Sequence, residues 1–463
     1  MKIYNTLSGK KETFKPVKKG AVGMYLCGPT VYDKGHLGHA RSAVAFDVIR
    51  KYFQYERYEV TFVSNYTDID DKMIKRAAER KMTVKELADE LIPVYQRDYG
   101  ALGIERSDHS PKATEFVPQI VSIIEGLLKK GVAYATDDGI YFSVNSFRDY
   151  GKLSHQRLDE LVAGARVDVN EQKRAPEDFA LWKKEKPGEP AWDGPAKMRG
   201  RPGWHIECSA MSMQILGETF DIHAGGQDLT FPHHECEIAQ SETFTGKPFA
   251  KYWLHNGFIR VNEEKMSKSL GNFFTIEDVL KRYDPMVVRY FLLSTHYRMP
   301  IDFSNDLLEQ AKQGLSRLRD CFRNVQRLAK DSGEKANFNR DAVIKKAKEA
   351  FEKAMDDDFE ISRALAAVFD FVNEINRQLK DGIDSKKAQL ILDFFRAIDS
   401  VLCVIEVKEK ALSEDIEALI KERNKARAKR DFARSDEIRK QLENQGIILE
   451  DTKDGTLWKR ILK

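Results

Sequence analysis

The segment AVGMYLCGPTVYDKGHLGHARSAVAFDVIRKYF, residues 21–53, determines the fold of this chain. It opens with an apolar run typical of a buried strand, continues through a Gly-Pro loop, and then shows a helical pattern from about Leu37 to Tyr55. A second strand is predicted at residues 58–63 and a second helix begins near Asp71, and this alternation predicts a βαβ unit with a parallel sheet. Ligands of such sheets bind beyond the carboxyl ends of the strands. The polar or reactive side chains expected at that edge are Cys27, His36, His39, Thr67 and Asp68.

Two short motifs, HLGH beginning at His36 and KMSKS beginning at Lys265, are suited to binding a triphosphate. The start of a helix offers unpaired N–H groups and a positive dipole end, and Gly38 lets a nucleotide approach the backbone closely. His36 and His39 would share one face of the first turn, while Lys265 and Lys268 could follow the charge that develops as pyrophosphate leaves. Either motif alone is also typical of an ordinary surface loop. Their joint occurrence in this order favours an ATP site in an enzyme that activates an acid by adenylation.

A group of candidate metal ligands is spread over three distant segments. Cys27 ends the first predicted strand and Cys208 lies in the segment WHIECS. His233 and Glu237 are four residues apart on a predicted helix, so their side chains would point the same way. Two thiolates, one imidazole and one carboxylate satisfy tetrahedral Zn²⁺, although cysteines are more often small buried apolar residues. Spacing alone leaves three rival ligands, namely His234, Glu235 and Cys236.

A zinc ion at this edge would have a clear purpose. The pKa of a thiol, near 8.5, is within reach of a bound metal, whereas that of an alcohol is far higher. Shape alone separates cysteine from serine by only about a few kcal/mol. Because a metal–sulfur bond can separate the two amino acids much further, we predict selection of cysteine without a separate editing domain.

The composition of the 463 residues is that of a globular protein. Because the formal net charge is only +3, any nucleic-acid contact must come from local basic faces. The five cysteines are few, odd in number and scattered, which favours a reducing compartment over a disulfide framework. We find neither a signal segment nor an apolar run of the roughly 20 residues that cross a bilayer. A cytoplasmic location without membrane association is expected.

The remaining sequence predicts an α/β protein with several parts. A hairpin is expected around Asp137-Asp138-Gly139, and the Pro-, Gly- and Lys-rich residues 183–203 are expected to be irregular. Further strands are predicted at residues 219–223 and 252–255, a helical bundle follows, and the chain ends in a basic helix and a hairpin. We predict a Rossmann-type catalytic domain in two halves (1–114 and 202–265), a connective insertion (115–201), a KMSKS loop and stem-contact region (266–310), a helical bundle (311–404) and a small mixed α/β C-terminal domain (405–463).

Six motifs follow one another along the chain: CGPTVYD (27–33), HLGH (36–39), NYTDIDDK (65–72), GWHIECS (203–209), FPHHE (231–235) and KMSKS (265–269). Together they resemble the cysteinyl-tRNA synthetases, a family of class I aminoacyl-tRNA synthetases, over essentially the whole chain. The resemblance implies zinc on Cys27, Cys208, His233 and Glu237. It also implies that Thr67 and Trp204 help to form the amino-acid pocket, that Asp228 lies near the ATP ribose, and that Lys268 is the principal phosphate contact.

The same resemblance implies L-cysteine, ATP with Mg²⁺, and tRNA(Cys) as partners of a chain that we expect to be a monomer. Cysteine would be activated to cysteinyl-adenylate and transferred to the terminal adenosine of the tRNA, releasing AMP and pyrophosphate. The basic stretch at residues 421–430 could track tRNA phosphates, although such runs are usually solvated helix faces. Three alternatives remain open: a ligase that joins cysteine to an amino sugar, a simple nucleotidyltransferase, and a non-catalytic tRNA-binding relative.

Overall fold

The computed structural model describes residues 1–156, 172–261, 264–265, 274–329, 340–379, 385–406, 414–452 and 455–460. The strands are β1 (Lys2–Asn5), β2 (Lys10–Thr13), β3 (Ala21–Leu26), β4 (Glu59–Ser64), β5 (Ala133–Ala135), β6 (Gly139–Phe142), β7 (Phe179–Lys184), β8 (Gly200–Pro202), β9 (Phe220–Gly226), β10 (Ala250–Asn256), β11 (Ile259–Val261), β12 (Glu264–Lys265), β13 (Ile301–Asp302), β14 (Ile447–Thr452) and β15 (Gly455–Arg460). The α-helices are α1 (Leu37–Tyr55), α2 (Asp71–Glu79), α3 (Val84–Ala101), α4 (Val117–Lys129), α5 (Trp204–Leu216), α6 (Glu235–Thr245), α7 (Ile276–Leu280), α8 (Pro285–Leu293), α9 (Asn305–Leu328), α10 (Arg340–Met355), α11 (Ile361–Gln378), α12 (Ser385–Leu402), α13 (Glu414–Ala428) and α14 (Phe432–Asn444).

The centre of the catalytic region is a parallel sheet in the order β10-β9-β3-β4. The predicted βαβ unit is confirmed, because β3, α1 and β4 follow one another and the two strands pair in parallel. Helix α1 is buried over most of its length, which explains the apolar residues on several of its faces. Strand β9 is longer than predicted, since it extends to Gly226. Because all strands of this sheet are parallel, the carboxyl end of β9 lies at the same edge as those of β3, β4 and β10.

Residues 133–202 carry a second, antiparallel sheet in the order β5-β6-β7-β8. The predicted hairpin is confirmed as β5 and β6. The expectation of irregular structure across 183–203 is wrong at both ends, because β7 reaches Lys184 and β8 pairs with it. The segment between them folds tightly over the buried side chain of Trp182, whose Nε1 donates to Met198 O at 3.1 Å. Gly194 lies where a Cβ atom would meet the Trp182 ring at 2.4 Å, which accounts for the glycine there.

The bundle and the C-terminal unit complete the chain. Helices α9 to α12 bury the apolar residues whose spacing predicted a bundle, with α9 packed on α12 and α10 on α11. The C-terminal unit has two helices rather than the single one predicted, because the chain turns at Arg430, with φ 61°, and Asp431 caps α14. The β14–β15 hairpin packs beside them around Ile438 and Leu442. In the described part of the chain, no helix combines the length and apolar character needed to cross a membrane.

Candidate active site and metal centre

A cavity of about 710 Å³ lies at the carboxyl edge of the parallel sheet. Its walls come from the loop after β3, the start of α1, the end of β9 and the start of α5. The expected ligand-binding edge is thus also the concave part of the catalytic region. Among the lining residues are the predicted site residues Cys27, His36, Gly38, His39, Trp204 and Asp228.

The HLGH motif forms a rigid start to α1. His36 is the N-cap, and its Nδ1 accepts from the backbone N–H of His39 at 3.3 Å. The His36 N–H donates in return to Nδ1 of His39 at 3.3 Å, and the two rings stack with centroids 3.7 Å apart. The two imidazoles are therefore fixed against each other at a positive helix end that faces the cavity. This arrangement can hold an anionic group beside Gly38.

The loop after β3 is held in place by the loop after β4. The Gly28 N–H donates to Asn65 Oδ1 at 2.8 Å, and an added Cβ at Gly28 would lie 1.6 Å from Asn65 O. Thr67 is buried and pairs with Thr30 across an isolated bridge, donating its N–H to Pro29 O at 3.1 Å. Because Thr30 lines the cavity, Thr67 supports its wall from the buried side. These contacts fix where Cys27 can lie.

The four predicted metal ligands converge beside this loop. Cys27 Sγ lies 3.8 Å from Cys208 Sγ and 3.6 Å from Glu237 Oε1. His233 Nε2 lies 3.0 Å from the same Glu237 oxygen. One ligand atom from each of the four residues lies within 4.8 Å of every other, so together they can surround a single ion.

The rival ligands are separated by the fold. Cys236 packs into a different apolar cluster, with Tyr150 Oη 3.3 Å from its sulfur. Glu235 accepts the N–H groups of Leu153 and Ser154, at 3.1 and 2.9 Å from Oε2. His234 is different, since the described residues contain a second, overlapping ligand group of Cys27, His223, His234 and Glu237.

The charges of the cluster are strongly coupled. Burial opposes ionisation of His233, but the Glu237 carboxylate raises the pKa of this imidazole to about 10. Burial likewise opposes the Glu237 charge, yet His223 and His233 lower the pKa of this carboxyl to about 2. The hydrogen bond from Cys27 lowers the pKa of Cys208 to about 6. The cluster thus already holds negative groups around a positive one at neutral pH.

A zinc ion fits these residues. The donor set of two sulfurs, one imidazole and one carboxylate suits Zn²⁺. Glu237 is fully buried, and its Oε2 lies 3.4 Å from His223 Nε2 but makes no well-formed hydrogen bond with the described residues, which is costly unless a cation is near. A metal ion would supply the missing partner.

The other predicted residues lie around the cavity. Trp204 begins α5, is 37% exposed, and stacks on His233 with centroids 4.2 Å apart. Asp228 lies two residues beyond the end of β9, in a short helical turn that lines the cavity. The backbone of Lys265 ends β12, but its side chain and the whole of Lys268 lie outside the described residues.

The predicted basic stripe is partly neutralised within the C-terminal unit. The Asp451 carboxylate contacts Arg423, Arg427 and Arg439, the last at 2.8 Å. Three of the cations that could have met phosphates therefore bind α13 and α14 to β14. The other four cations of residues 421–430 are exposed, namely Lys421, Lys425, Lys429 and Arg430.

Comparison with protein families divides the chain into three matched segments. The model for the class I (C) tRNA synthetase catalytic domain matches residues 13–313. A DALR domain matches residues 350–406, and the cysteinyl-tRNA ligase anticodon binding domain matches residues 409–458. A cysteine–tRNA ligase of Symbiobacterium thermophilum is 52% identical, with 99% of each chain covered. The chain belongs to the cysteine–tRNA ligase family.

Other members of the cysteine–tRNA ligase family are similarly close. The ligase of Thermodesulfovibrio yellowstonii is 50% identical and that of Geobacillus thermodenitrificans 49%, again over 99% of each chain. Among solved structures, methionyl-tRNA synthetase of Mycobacterium tuberculosis with methionyl-adenylate aligns with a TM-score of 0.61. It covers 82% of this chain and 89% of its own, at 16% identity. This likeness confirms the class I fold predicted for the chain.

Sequence reasoning missed three histidines that surround the ligands in this cysteine–tRNA ligase family member. His205 Nδ1 lies 3.0 Å from His233 Nδ1. His223 of β9 and His255 of β10 are buried beside His234. The available signal was a histidine within each of two mainly apolar strands, FDIHAGG and AKYWLHN.

Proposed function

We propose that this chain is a cysteine–tRNA ligase that activates L-cysteine with ATP and transfers it to the 3′-terminal adenosine of tRNA(Cys). One observation carries the proposal. In a chain of this family, the four candidate metal ligands lie beside the start of α1, at the edge of one cavity. The cluster suits a substrate sulfur, and the helix start suits phosphates. The other two ligand sites on the protein, for ATP and for tRNA, follow from this activity.

The start of α1 would hold the nucleotide during adenylation. His36 and His39 are already fixed by their mutual hydrogen bonds, so they can meet charge on the α-phosphate without reorganising. Asp228, two residues beyond β9 on the cavity wall, would accept from the ribose hydroxyls. We assign the remaining phosphate charge to Lys265, to Lys268 and to the Mg²⁺ that accompanies ATP. No side chain needs to form a covalent bond, since positioning and charge stabilisation suffice.

The cluster would hold the substrate through its sulfur. Cys27, Cys208, His233 and Glu237 would bind a zinc ion, which supplies a Lewis acid that binds a thiol as thiolate. Trp204, stacked on His233 and facing the cavity, would cover the side chain and exclude water. Thr67 would shape the pocket through the wall that it supports. Serine would lack the sulfur that the cluster selects.

The C-terminal half would bind the tRNA. We propose that the C-terminal unit meets the anticodon through its exposed cations and that the bundle acts as the spacer. We retain the five-part division as a proposal, with the bundle beginning at Asn305, because α9 is continuous across residues 310 and 311. We further propose that the protein acts as a monomer in the cytoplasm.

The experiment is cysteine-dependent exchange of pyrophosphate into ATP, followed by charging of tRNA(Cys) transcript. Exchange should occur without tRNA and should fall by about 100-fold or more in Cys208→Ala, since a metal ligand is lost. Cys236→Ala is the matched control, because this thiol lies one residue from Glu237 but packs against Tyr150 in a different cluster. Wild-type exchange that proceeds equally well with serine, or without bound metal, would refute the proposal.

A further inference from the structure

The turn between α10 and α11, residues 356–360, carries a fully buried carboxylate, that of Asp358. Asp358 has φ 66°, in the left-handed region that residues other than glycine seldom adopt, and the next residue, Phe359, has φ 52°. Such a conformation persists where the surrounding structure imposes it. Phe359 is also fully buried, and its ring lies against those of Tyr52 and Tyr297. The turn is therefore fixed inside the protein rather than on the surface of the bundle.

Asp358 binds the loop that follows α8, residues 294–300. Tyr297 Oη donates to Asp358 Oδ1 at 3.0 Å, while Arg298 Nε donates to Oδ2 at 2.8 Å and Arg298 Nη2 lies 2.7 Å from the same oxygen. His296 Nε2 lies 2.9 Å from the backbone oxygen of Asp358. The N–H of Tyr4, in β1, also donates to Oδ1, at 2.8 Å. One residue of the bundle thus contacts three consecutive residues of the loop.

The same loop lies behind one wall of the cavity. Residues 256–259 begin at the end of β10 and line the cavity. The Gly257 N–H donates to Tyr297 O at 2.9 Å, and a Cβ added to Gly257 would lie 2.5 Å from the backbone carbon of Met299. These are backbone contacts, so rotation of a side chain cannot absorb a shift of the loop. A displacement of the loop would therefore reach the cavity wall.

We propose that Asp358 is a positioning residue for ATP: it holds residues 296–299 and, through them, the cavity wall at residues 256–259. That wall adjoins the proposed ribose contact, because the end of β10 pairs with the end of β9, two residues before Asp228. The four candidate metal ligands come from other segments, so the effect should fall on ATP rather than on cysteine. The inference rests on the proposed function, because it assigns the wall to the nucleotide.

The chemistry of the contacts explains why an amide cannot replace this carboxylate. Tyr4, Tyr297 and Arg298 all direct donors at Asp358, and a carboxylate can only accept. An asparagine would turn its NH₂ either toward the Arg298 guanidinium or toward the Tyr4 N–H, so at least one bond would be lost inside the protein. The loop would then be held less firmly. A misplacement of about 1 Å at residues that position a substrate can cost about 100-fold in rate, so a small shift of the wall suffices.

The test is pyrophosphate exchange by full-length Asp358→Asn, with ATP and cysteine varied in turn. The KM for ATP should rise about tenfold, while the KM for cysteine and the zinc content stay within about twofold of wild type. Asp399→Asn is the matched control, because that carboxylate also lies in the bundle and accepts the N–H groups of residues 404–406 at 2.7 and 2.8 Å. It should lose stability and keep both KM values. An unchanged KM for ATP in Asp358→Asn, or an equal rise in both KM values, would overturn the proposal.

A milder variant, Tyr297→Phe, covers the case in which Asp358→Asn does not fold. It removes one donor to the carboxylate but keeps the ring and the backbone bond to Gly257. The KM for ATP should rise about threefold, with the KM for cysteine unchanged. A KM for ATP equal to that of wild type would overturn the proposal.

Direct binding separates this inference from the proposed function. Equilibrium dialysis of ATP against the full-length protein needs no turnover, and the affinity should be about tenfold weaker in Asp358→Asn than in wild type. A wild-type protein that supports no cysteine-dependent exchange would refute the proposed function. Equal ATP affinities for wild type and Asp358→Asn would instead overturn the role of Asp358.

Discussion

Replacement of Gly28 by alanine tests how rigidly the fold holds the first metal ligand. The added Cβ would lie 1.6 Å from the backbone oxygen of Asn65 and 2.7 Å from its carbonyl carbon. Both neighbours are backbone atoms, so no side chain can rotate away. Ordinary contact would require the loops after β3 and β4 to separate by about 1.8 Å. Because Cys27 precedes Gly28, its sulfur would move with the loop.

This displacement is large on the scale of metal coordination. Ligand distances in a metal site must lie within about 0.2 Å of their ideal values, so a shift several times larger removes one of the four ligands. We expect zinc affinity to fall at least about 100-fold and cysteine-dependent exchange to fall with it. The free energy of unfolding should fall by only about 1–3 kcal/mol, the usual cost of overpacking. The variant should therefore still fold.

The assay is zinc content and chelator competition on folded Gly28→Ala, together with pyrophosphate exchange. Gly100→Ala is the control, because a Cβ at this helical glycine meets no atom within 4 Å. It should keep its zinc and gain rather than lose stability, since alanine is the better helix former. A Gly28→Ala protein with one tightly bound zinc and wild-type exchange would refute the reasoning.

Three further perturbations follow from the structure. Asp47→Asn would leave the buried cations Lys51 and Arg289, at 2.8 and 2.6 Å from Asp47 Oδ2, without their counter-ion, and denaturant unfolding should show a loss of about 3–5 kcal/mol. Burial lowers the pKa of His255 to about 3, so the unfolded chain takes up this proton first as pH falls below about 6.5. Because of this group, the free energy of unfolding should then fall by up to about 1.4 kcal/mol per pH unit between about pH 6.5 and about pH 3. Unfolding measured from pH 7 to 5 should show this contribution in the wild-type protein and not in His255→Asn. Deletion of residues 407–463 should weaken charging of tRNA(Cys) while sparing cysteine-dependent exchange, and equal loss of both activities would show that the C-terminal unit has only a structural role.

The sequence predicts best what depends on local pattern. The strand β3, the helix α1 and the strand β4 follow from apolar periodicity, and their order alone indicates a parallel sheet. The proposed metal ligands were chosen from the chemistry of their side chains, yet spacing could not separate His233 from His234. The two are adjacent in sequence, and only the packing of the turn before α6 gives them different neighbours, because His234 lies against His223 of β9 and His255 of β10.

Long-range pairings limited the other predictions. The basic stretch near the C-terminus is a uniform run in sequence, but the position of Asp451 in β14 converts Arg423 and Arg427 into intramolecular contacts. The prediction of irregular structure before β8 was wrong for a similar reason. Trp182 organises that segment from another strand, through a contact that no local pattern reveals.

The two halves of the proposed ATP site are far apart in sequence, and a loop after α8 is one of the connections between them. Arg41, two residues beyond His39, is buried and donates to Thr295 O at 3.1 Å and His296 O at 2.8 Å. The same loop leads into β13, which pairs with β11, and β11 pairs with β12 at Lys265. A buried guanidinium that loses such carbonyl partners is left unsatisfied at a cost of about 1–3 kcal/mol for each, so the loop is firmly held. Strand β12, which ends at Lys265, is therefore positioned relative to helix α1 by polar contacts inside the catalytic region.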